Sequence, residues 1–411
     1  MREILFISHR IPFPPDRGDK IRSHNILKRL VRIAPVHVAT FADDDADTGE
    51  EVELASLAAS YRLVRRTKPL ALAGLQALAK GAPISLKAFY DVHLAEYVEE
   101  VLAKRQISTI YVFSGQMGQY VPDGFEGRVV VDFVDADSAK FAAYARNEWG
   151  PARWVHAREA KLLRAEEARL AMRADVSLLV SPAETEEFIS QLPAGVADRV
   201  DVRSLANGID SDFFHPRAVD AEPRMLEFPH PRLIFTGQMD YKPNIAAALR
   251  VADRILPLIR QHMPEATFHV VGRNPSASLL ARDGIGGVHV WGRVEDIRCW
   301  LKGANLAIVP LEIARGVQNK VLEAMAMALP IVLSPGAATG IGAQHGKHFA
   351  VADSDEDLAR AAMELLSSLK LAQARGLAAR RFASEKATWQ AALDDLPEIV
   401  GWPAPLARDA A

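Results

Sequence analysis

A single cysteine, Cys299, occurs in 411 residues, which excludes an intramolecular disulfide framework and a multi-cysteine metal centre. It falls in a helical pattern, where packing accounts for it. Membrane-spanning length is also missing, since no apolar run approaches the ~20 residues that cross a bilayer. The opening residues MREILFIS hold an apolar run too short for a signal peptide and lead into polar sequence. The expected location is therefore cytoplasmic. Charge of one sign is scarce overall. A formal charge of −3 leaves no basic excess for a dedicated nucleic-acid binder. No G-x-G-x-x-G follows the first apolar run, and Gly284-Ile285-Gly286 and Gly340-Ile341-Gly342 are too irregular to replace it, which argues against a nicotinamide enzyme. Internal repeats and low-complexity segments are absent.

What remains is ordinary for a soluble globular protein, with 49% apolar and 25% charged residues. The length exceeds a single core and predicts two domains of about 200 residues each. Short apolar runs alternate with helical patterns throughout. In the first half the runs are residues 2–8, 36–41, 109–113, 128–135 and 175–182, then RVDVRSL. A stiff proline-rich loop, HRIPFPPDRGDK, follows the first run, and Asp43 to Asp47 read as a solvated loop. Residues 61–87 carry Arg62, Arg65, Arg66, Lys68, Lys80 and Lys87 with no acid between them, interleaved with Leu70, Leu72, Leu75 and Leu78. This suits an anionic membrane surface, or equally a solvated pair of surface helices. From Ser138 to Ala174 the sequence is helical, with a break expected at Pro151. Asn207-Gly208 is a turn signal and opens a polar, proline-containing junction. The second half alternates more cleanly: strands at 233–237, 267–272, 288–292, 306–309 and 331–334, and helices between them. The predicted organisation is a domain over 1–208, a linker over 209–231, a second domain over 232–384, and a final helix over 385–411 that crosses back to the first domain. Strands alternating with helices of this length give parallel sheets covered on both faces.

The chain is organised around residues 305–332, NLAIVPLEIARGVQNKVLEAMAMALPIV. A buried strand, a loop with Gly316 and a helix from about Gln318 to Ala328 follow one another. In such a unit a ligand lies beyond the strand's carboxyl end, against the helix N-terminus. Asn319, Lys320 and Glu323 share the face opposite the apolar stripe. Free amides after Gly316, the positive end of the helix and Lys320 suit a diphosphate. Glu323, when ionised, only accepts hydrogen bonds, which suits a pair of sugar hydroxyls. The plainer alternative is an exposed Lys–Glu pair on a surface helix.

Two Rossmann-like halves are joined by Asn207-Gly208-Ile209-Asp210…Phe214-His215-Pro216, and the second carries Gly316…Lys320…Glu323-Ala324-Met325-Ala326. Together these motifs resemble glycosyltransferases of the GT-B fold, family 4. The segments HRIPFPPDRGDKIRS, DFVDADS and GVQNKVLEAMAMALP are similar to the branch associated with bacterial exopolysaccharide and exosortase (PEP-CTERM) systems. The resemblance implies an α/β fold of two doubly wound parallel-sheet domains facing a central cleft. It implies a retaining transfer of a hexose-type unit from a nucleotide diphosphate sugar to a hydroxyl of a glycan or lipid-linked acceptor, with no cofactor and no metal. Glu323 matches the glutamate that binds the ribose; Arg315 stands where a first glutamate usually contacts the sugar. Lys320, Gly316, Val317 and Asn319 match the diphosphate-binding element. The Arg and Lys expected after the first strand of the second domain are out of register, leaving Gly237, Lys242 and Arg273 as the donor-side candidates. Gly18 matches the glycine loop that admits the donor phosphate, flanked by Lys20, and Asp135 lies near the position of a reaction-centre histidine. A helix cap is the plainer role for Asp135, with Ser138 sharing it. Such an enzyme would work in the cytoplasm, at the inner face of the plasma membrane if its acceptor is lipid-linked. The competing readings are a catalytically silent sugar-binding subunit, which the Arg315 departure keeps open, a nucleotide-sugar epimerase on the same scaffold, and a metal-dependent transferase suggested by the D-x-D at Asp135-Ala136-Asp137.

Overall fold

Apolar runs bounded by glycine, proline or polar residues become strands wherever both of their faces can be covered. The computed structural model describes residues 2–312 and 317–402. Among these, the chain divides into two units, Met1–Ala206 with Leu393–Ala411, and Asn207–Ala392.

In the first unit, β1 (Glu3–Ser8), β2 (Val36–Ala42), β3 (Ser60–Arg65), β4 (Ile107–Phe113), β5 (Arg128–Val134), β6 (Val176–Leu179) and β7 (Val202–Ser204) form one sheet. Their order is β3-β2-β1-β4-β5-β6-β7, and every neighbouring pair is parallel. Leu5, Ile7, Ala39, Ile110, Val112, Val129 and Val131 build its core. The returning segment from Leu393 is tied to this sheet, because Thr109 Oγ1 donates to the Val400 carbonyl at 2.9 Å and Arg128 Nε to that of Ile399 at 2.6 Å.

In the second unit, β8 (Arg232–Thr236), β9 (Thr267–Val271), β10 (Val288–Gly292), β11 (Leu306–Val309), β12 (Ile331–Leu333) and β13 (Ala350–Val351) lie in the order β10-β9-β8-β11-β12-β13, again all parallel. Residues 207–231 belong to this unit. The strand order reverses at β1/β4 in the first sheet and at β8/β11 in the second. These are the switch points beyond whose carboxyl ends α/β sheets bind ligands.

Three local expectations need correction. Residues 61–87 are not a helix pair throughout: Tyr61 to Arg65 lie in β3, an edge strand whose charged residues face water, and only then come the helices Leu70–Lys80 and Ile84–Ala88. The long helical stretch breaks at Glu148 and Trp149, and Pro151 sits in the first turn of the helix Gly150–Arg173, where its missing N–H costs nothing. Asn207-Gly208 is not a turn. A Cβ on Gly208 would stand 2.3 Å from the Trp389 backbone nitrogen, so the glycine exists for the close passage of two chain segments. Ile209 and Thr388 form a parallel bridge there, with Ile209 N–H on the Ala387 carbonyl at 2.7 Å.

Candidate functional site

The carboxyl ends of β8, β9 and β10 each run into a glycine, and the three are laced together through their backbones. Gly237 N–H donates to the Val271 carbonyl at 3.1 Å, and Gly272 N–H to that of Gly292 at 2.9 Å. A Cβ on Gly272 would lie 1.6 Å from the Gly237 oxygen, and one on Gly237 2.9 Å from the Asn244 amide nitrogen. No side chain fits, and backbone forms the rim of the sheet at its switch point.

Lys320 reaches this rim from the second position of the helix Asn319–Ala326, which buries Val321, Leu322, Ala324 and Met325 on its inner side. Its ammonium donates to Asn244 Oδ1 at 2.6 Å and stands 4.8 Å above the Phe235 ring. Asn244, itself buried, donates its amide nitrogen to the Gln238 carbonyl at 2.9 Å, so its oxygen is fixed toward the lysine. Burial lowers the Lys320 pKa to about 8, partly offset by the charge of Glu323. Burial also raises Glu323 to about 7, partly offset by Lys320. The pair is therefore not the plain surface ion pair. Both groups are half enclosed with their charge only partly balanced, which is how groups poised for an incoming anion look.

The other expected donor-side residues fall around this point. Arg273 donates to the Gln238 side chain at 3.3 Å, and Met239 N–H to the Arg273 carbonyl at 2.9 Å, so Arg273 borders the Gly237 turn. Lys242 is exposed at the start of the helix Lys242–Arg250, two residues before Asn244. Asn319 accepts from Asn207 at 3.3 Å, and Val317 is buried. Arg315 and Gly316 lie outside the described residues. Asn244 is the member that motif reasoning passed over; it stands two residues after Lys242, but nothing local marks it as the partner of a lysine 76 residues away.

The first unit carries its own constellation beyond β1, β4 and β5. Ser114, the residue after β4, and Val134, the last of β5, have φ of 79° and 70°. For a β-branched valine that is a strained conformation, of the kind that gathers at functional sites. Asp135 follows immediately, half-buried, and with Asp137 raises the pKa of Lys140 against the opposing effect of burial. The N-cap position of the helix Asp137–Asn147 is Ala136, one residue after Asp135. Glu167 holds the helix start instead, accepting from Ser138 N–H at 2.9 Å and Ser138 Oγ at 2.5 Å. Burial raises Glu167 to about 7, against the pull of those bonds.

Gly18 begins the helix Gly18–Leu30, but Lys20 is turned inward. Its ammonium is buried on the Phe13 carbonyl at 2.8 Å and on the Asp47 carboxylate, where it pins the proline loop. His9, buried just past β1, lies 3.3 Å from Asp19 and stacks on Phe113 at 5.8 Å. Arg10 bridges Asp19 at 2.7 Å and Asp43 at 2.5 Å. Although burial opposes it, contact with His9, Arg10 and Arg17 holds the Asp19 carboxyl well below its ordinary range. Below these lies a wholly buried triad: Arg22 donates to both Asp132 oxygens, at 3.0 and 3.1 Å, and Tyr111 OH to one of them at 2.9 Å.

Residues 230–368 match the family model described as "Glycosyl transferases group 1". No curated protein matches the sequence. Several solved structures are similar over nearly their whole length. Anabaena HepE, in complex with UDP-glucose, aligns with a TM-score of 0.65 at 15% identity, covering 97% of this chain and 99% of that one. Sucrose-phosphate synthase from Thermosynechococcus elongatus aligns at 0.67 and 15%, covering 97% and 98%. WaaG, a glycosyltransferase involved in lipopolysaccharide biosynthesis, aligns at 0.62 and 16%, covering 97% and 100%. At these identities the likeness establishes the fold: two Rossmann-like parallel-sheet units of the GT-B type.

Proposed function

We propose that the chain is a retaining glycosyltransferase of family 4 that moves a sugar from a nucleotide diphosphate donor to a hydroxyl. The observation that carries this reading is the half-enclosed Lys320 ammonium, set on Asn244 beside the Gly237 rim at a switch point and at a helix start. The group 1 match over that same unit supports it, as does the UDP-glucose bound by HepE. In the reaction the acceptor oxygen forms a bond to the anomeric carbon while the bond from that carbon to the β-phosphate oxygen breaks. The departing diphosphate takes the acceptor proton. Negative charge grows on the leaving oxygen, and preorganised amides with Lys320 meet it there. Glu323 would receive the ribose hydroxyls. In the first unit, Asp135 would orient the acceptor or stabilise positive charge on the sugar.

The acceptor class fitting the sequence resemblance is a glycan or lipid-linked sugar of exopolysaccharide or other surface-polymer assembly. A lipid-linked acceptor would hold the protein at the inner face of the plasma membrane. No metal takes part in this scheme, so EDTA should leave transfer intact.

A panel of nucleotide sugars in a thermal-shift assay tests the reading. A UDP- or GDP-sugar should raise the melting temperature and NAD should not. Stabilisation by NAD alone would overturn it. Stabilisation by a nucleotide sugar without turnover across a broad acceptor set would favour a silent sugar-binding subunit, for which Arg315 in place of the usual glutamate is the specific reason.

A further inference from the structure

The helix Leu70–Lys80 is inverted relative to an ordinary surface helix. It buries Ala73 and Ala77 and leaves Leu70, Leu72, Leu75 and Leu78 exposed at 68%, 46%, 66% and 53%. At helical spacing, Leu72, Leu75 and Leu78 with Ala71 and Ala79 fill an arc of roughly 120° on the side away from Ala73 and Ala77. That is the width of stripe a helix normally presents to a core.

The ridge is anchored in place. Arg158, on the helix Gly150–Arg173, donates to the carbonyls of Ala77 at 3.1 Å and Ala82 at 3.2 Å. Its neighbour Glu159, which is buried, accepts from the amides of Ile84 and Ser85 at 2.8 and 2.9 Å and so caps the next short helix. The helix that supplies both anchors carries Trp154 one turn before Arg158, 59% exposed, and follows Trp149, 87% exposed. Four leucines of one helix, and two indoles on the element that Arg158 joins to it, are thus held out in solvent, where isolated apolar residues are common but four on an 11-residue helix are not.

Charge identifies what covers them. From Leu54 to Tyr90 the sequence has no Asp or Glu, while Lys80, at the end of the leucine helix, and Arg153, beside Trp154, are both exposed. We propose that this ridge docks on the surface of an anionic lipid bilayer. The leucines and the two indoles would enter the headgroup boundary, with Lys80 and Arg153 at the phosphates. Among the described residues no helix is long and apolar enough to cross a membrane, so the contact lies in the plane of the interface. A second copy of the chain fits less well. A two-fold contact would set the basic residues of the 54–90 stretches of two copies against each other, with no Asp or Glu in either stretch to pair them. The inference does not depend on the sugar-transfer reading: a chain inactive as a transferase would still bind lipid.

Co-sedimentation with vesicles tests it, comparing phosphatidylcholine alone with phosphatidylcholine containing phosphatidylglycerol. The protein should pellet with the anionic vesicles and be released as salt rises. L72S/L75S/L78S should lower the partition by about tenfold or more with unchanged melting temperature, because all three side chains face water. W149A/W154A, on the other helix, should weaken binding independently, which keeps the test sound if the triple variant folds poorly. Protein that stays in the supernatant with anionic vesicles overturns the proposal, as do both variants pelleting like the parent. A dimer in sedimentation equilibrium that the leucine substitutions break would assign the ridge to a second copy and also overturn it.

Discussion

Lys320 donates to Asn244 across 2.6 Å, and Asn244 is itself locked by its bond to the Gln238 carbonyl. The amide therefore positions the ammonium without neutralising it, leaving its charge for a ligand. A carboxylate in that place would quench it. Asn244→Ala should lower kcat/KM about 10- to 100-fold, in line with the loss of one hydrogen bond to a charged group. Asn244→Asp should raise the Lys320 pKa and weaken nucleotide binding. Steady-state kinetics and calorimetric titration of both variants check this.

Removing the ammonium itself should cost more. If it meets charge on the departing phosphate, Lys320→Met should reduce kcat/KM by about 100- to 1000-fold. Its melting temperature should stay near that of the parent, since a partly desolvated charge is removed along with its hydrogen bond. Near-normal turnover in Lys320→Met would remove Lys320 from the site.

The pH dependence follows from the same two side chains. Lys320, lowered to about 8, is charged only as pH falls through that value. A diphosphate favours the charged form, so UDP affinity should weaken as pH rises from about 7 to about 9. In the free protein the lysine supports stability above its ordinary value near 10.5, and that support is lost as pH falls through about 8. Glu323 runs oppositely: its support is complete below 4.5 and lost as pH rises through about 7. The pair therefore contributes least between about 7 and 8. Melting curves of the parent against K320M/E323Q should differ most in that window and less on either side of it, where one of the two burial costs is lifted.

Much of the fold could be read from the sequence because strands buried on both faces appear as unbroken apolar runs, as in Leu306–Val309. The edge strand β3 could not, since its exposed Arg62 and Arg65 obscure the run. Within the second unit, the spacing of Asn319, Lys320 and Glu323 was legible because it is a property of one helix. The partner Asn244 was not, because tertiary packing alone brings it there. The positive φ of Ser114 and Val134 leaves no trace in residue type, whereas glycine would have announced it. The leucines of residues 70–78 were visible, but only the fold shows that they point outward.

The buried triad of the first unit sets a stability prediction. Arg22 and Asp132 are both fully enclosed, and Arg22 also donates to the Leu205 carbonyl at 2.7 Å, tying the first helix to the end of the domain. Asp132→Asn leaves the guanidinium uncompensated and should destabilise the protein by about 3–5 kcal/mol. Tyr111→Phe, which removes a single hydrogen bond, should cost about 1 kcal/mol. Chemical denaturation of the two variants checks the ratio.

A crystal structure with a bound nucleotide sugar tests the central claim most directly. The diphosphate should lie at the start of the helix Asn319–Ala326, within hydrogen-bond reach of the Lys320 ammonium, with the ribose hydroxyls on Glu323. A diphosphate bound away from Lys320, or a ribose that leaves Glu323 untouched, would contradict it.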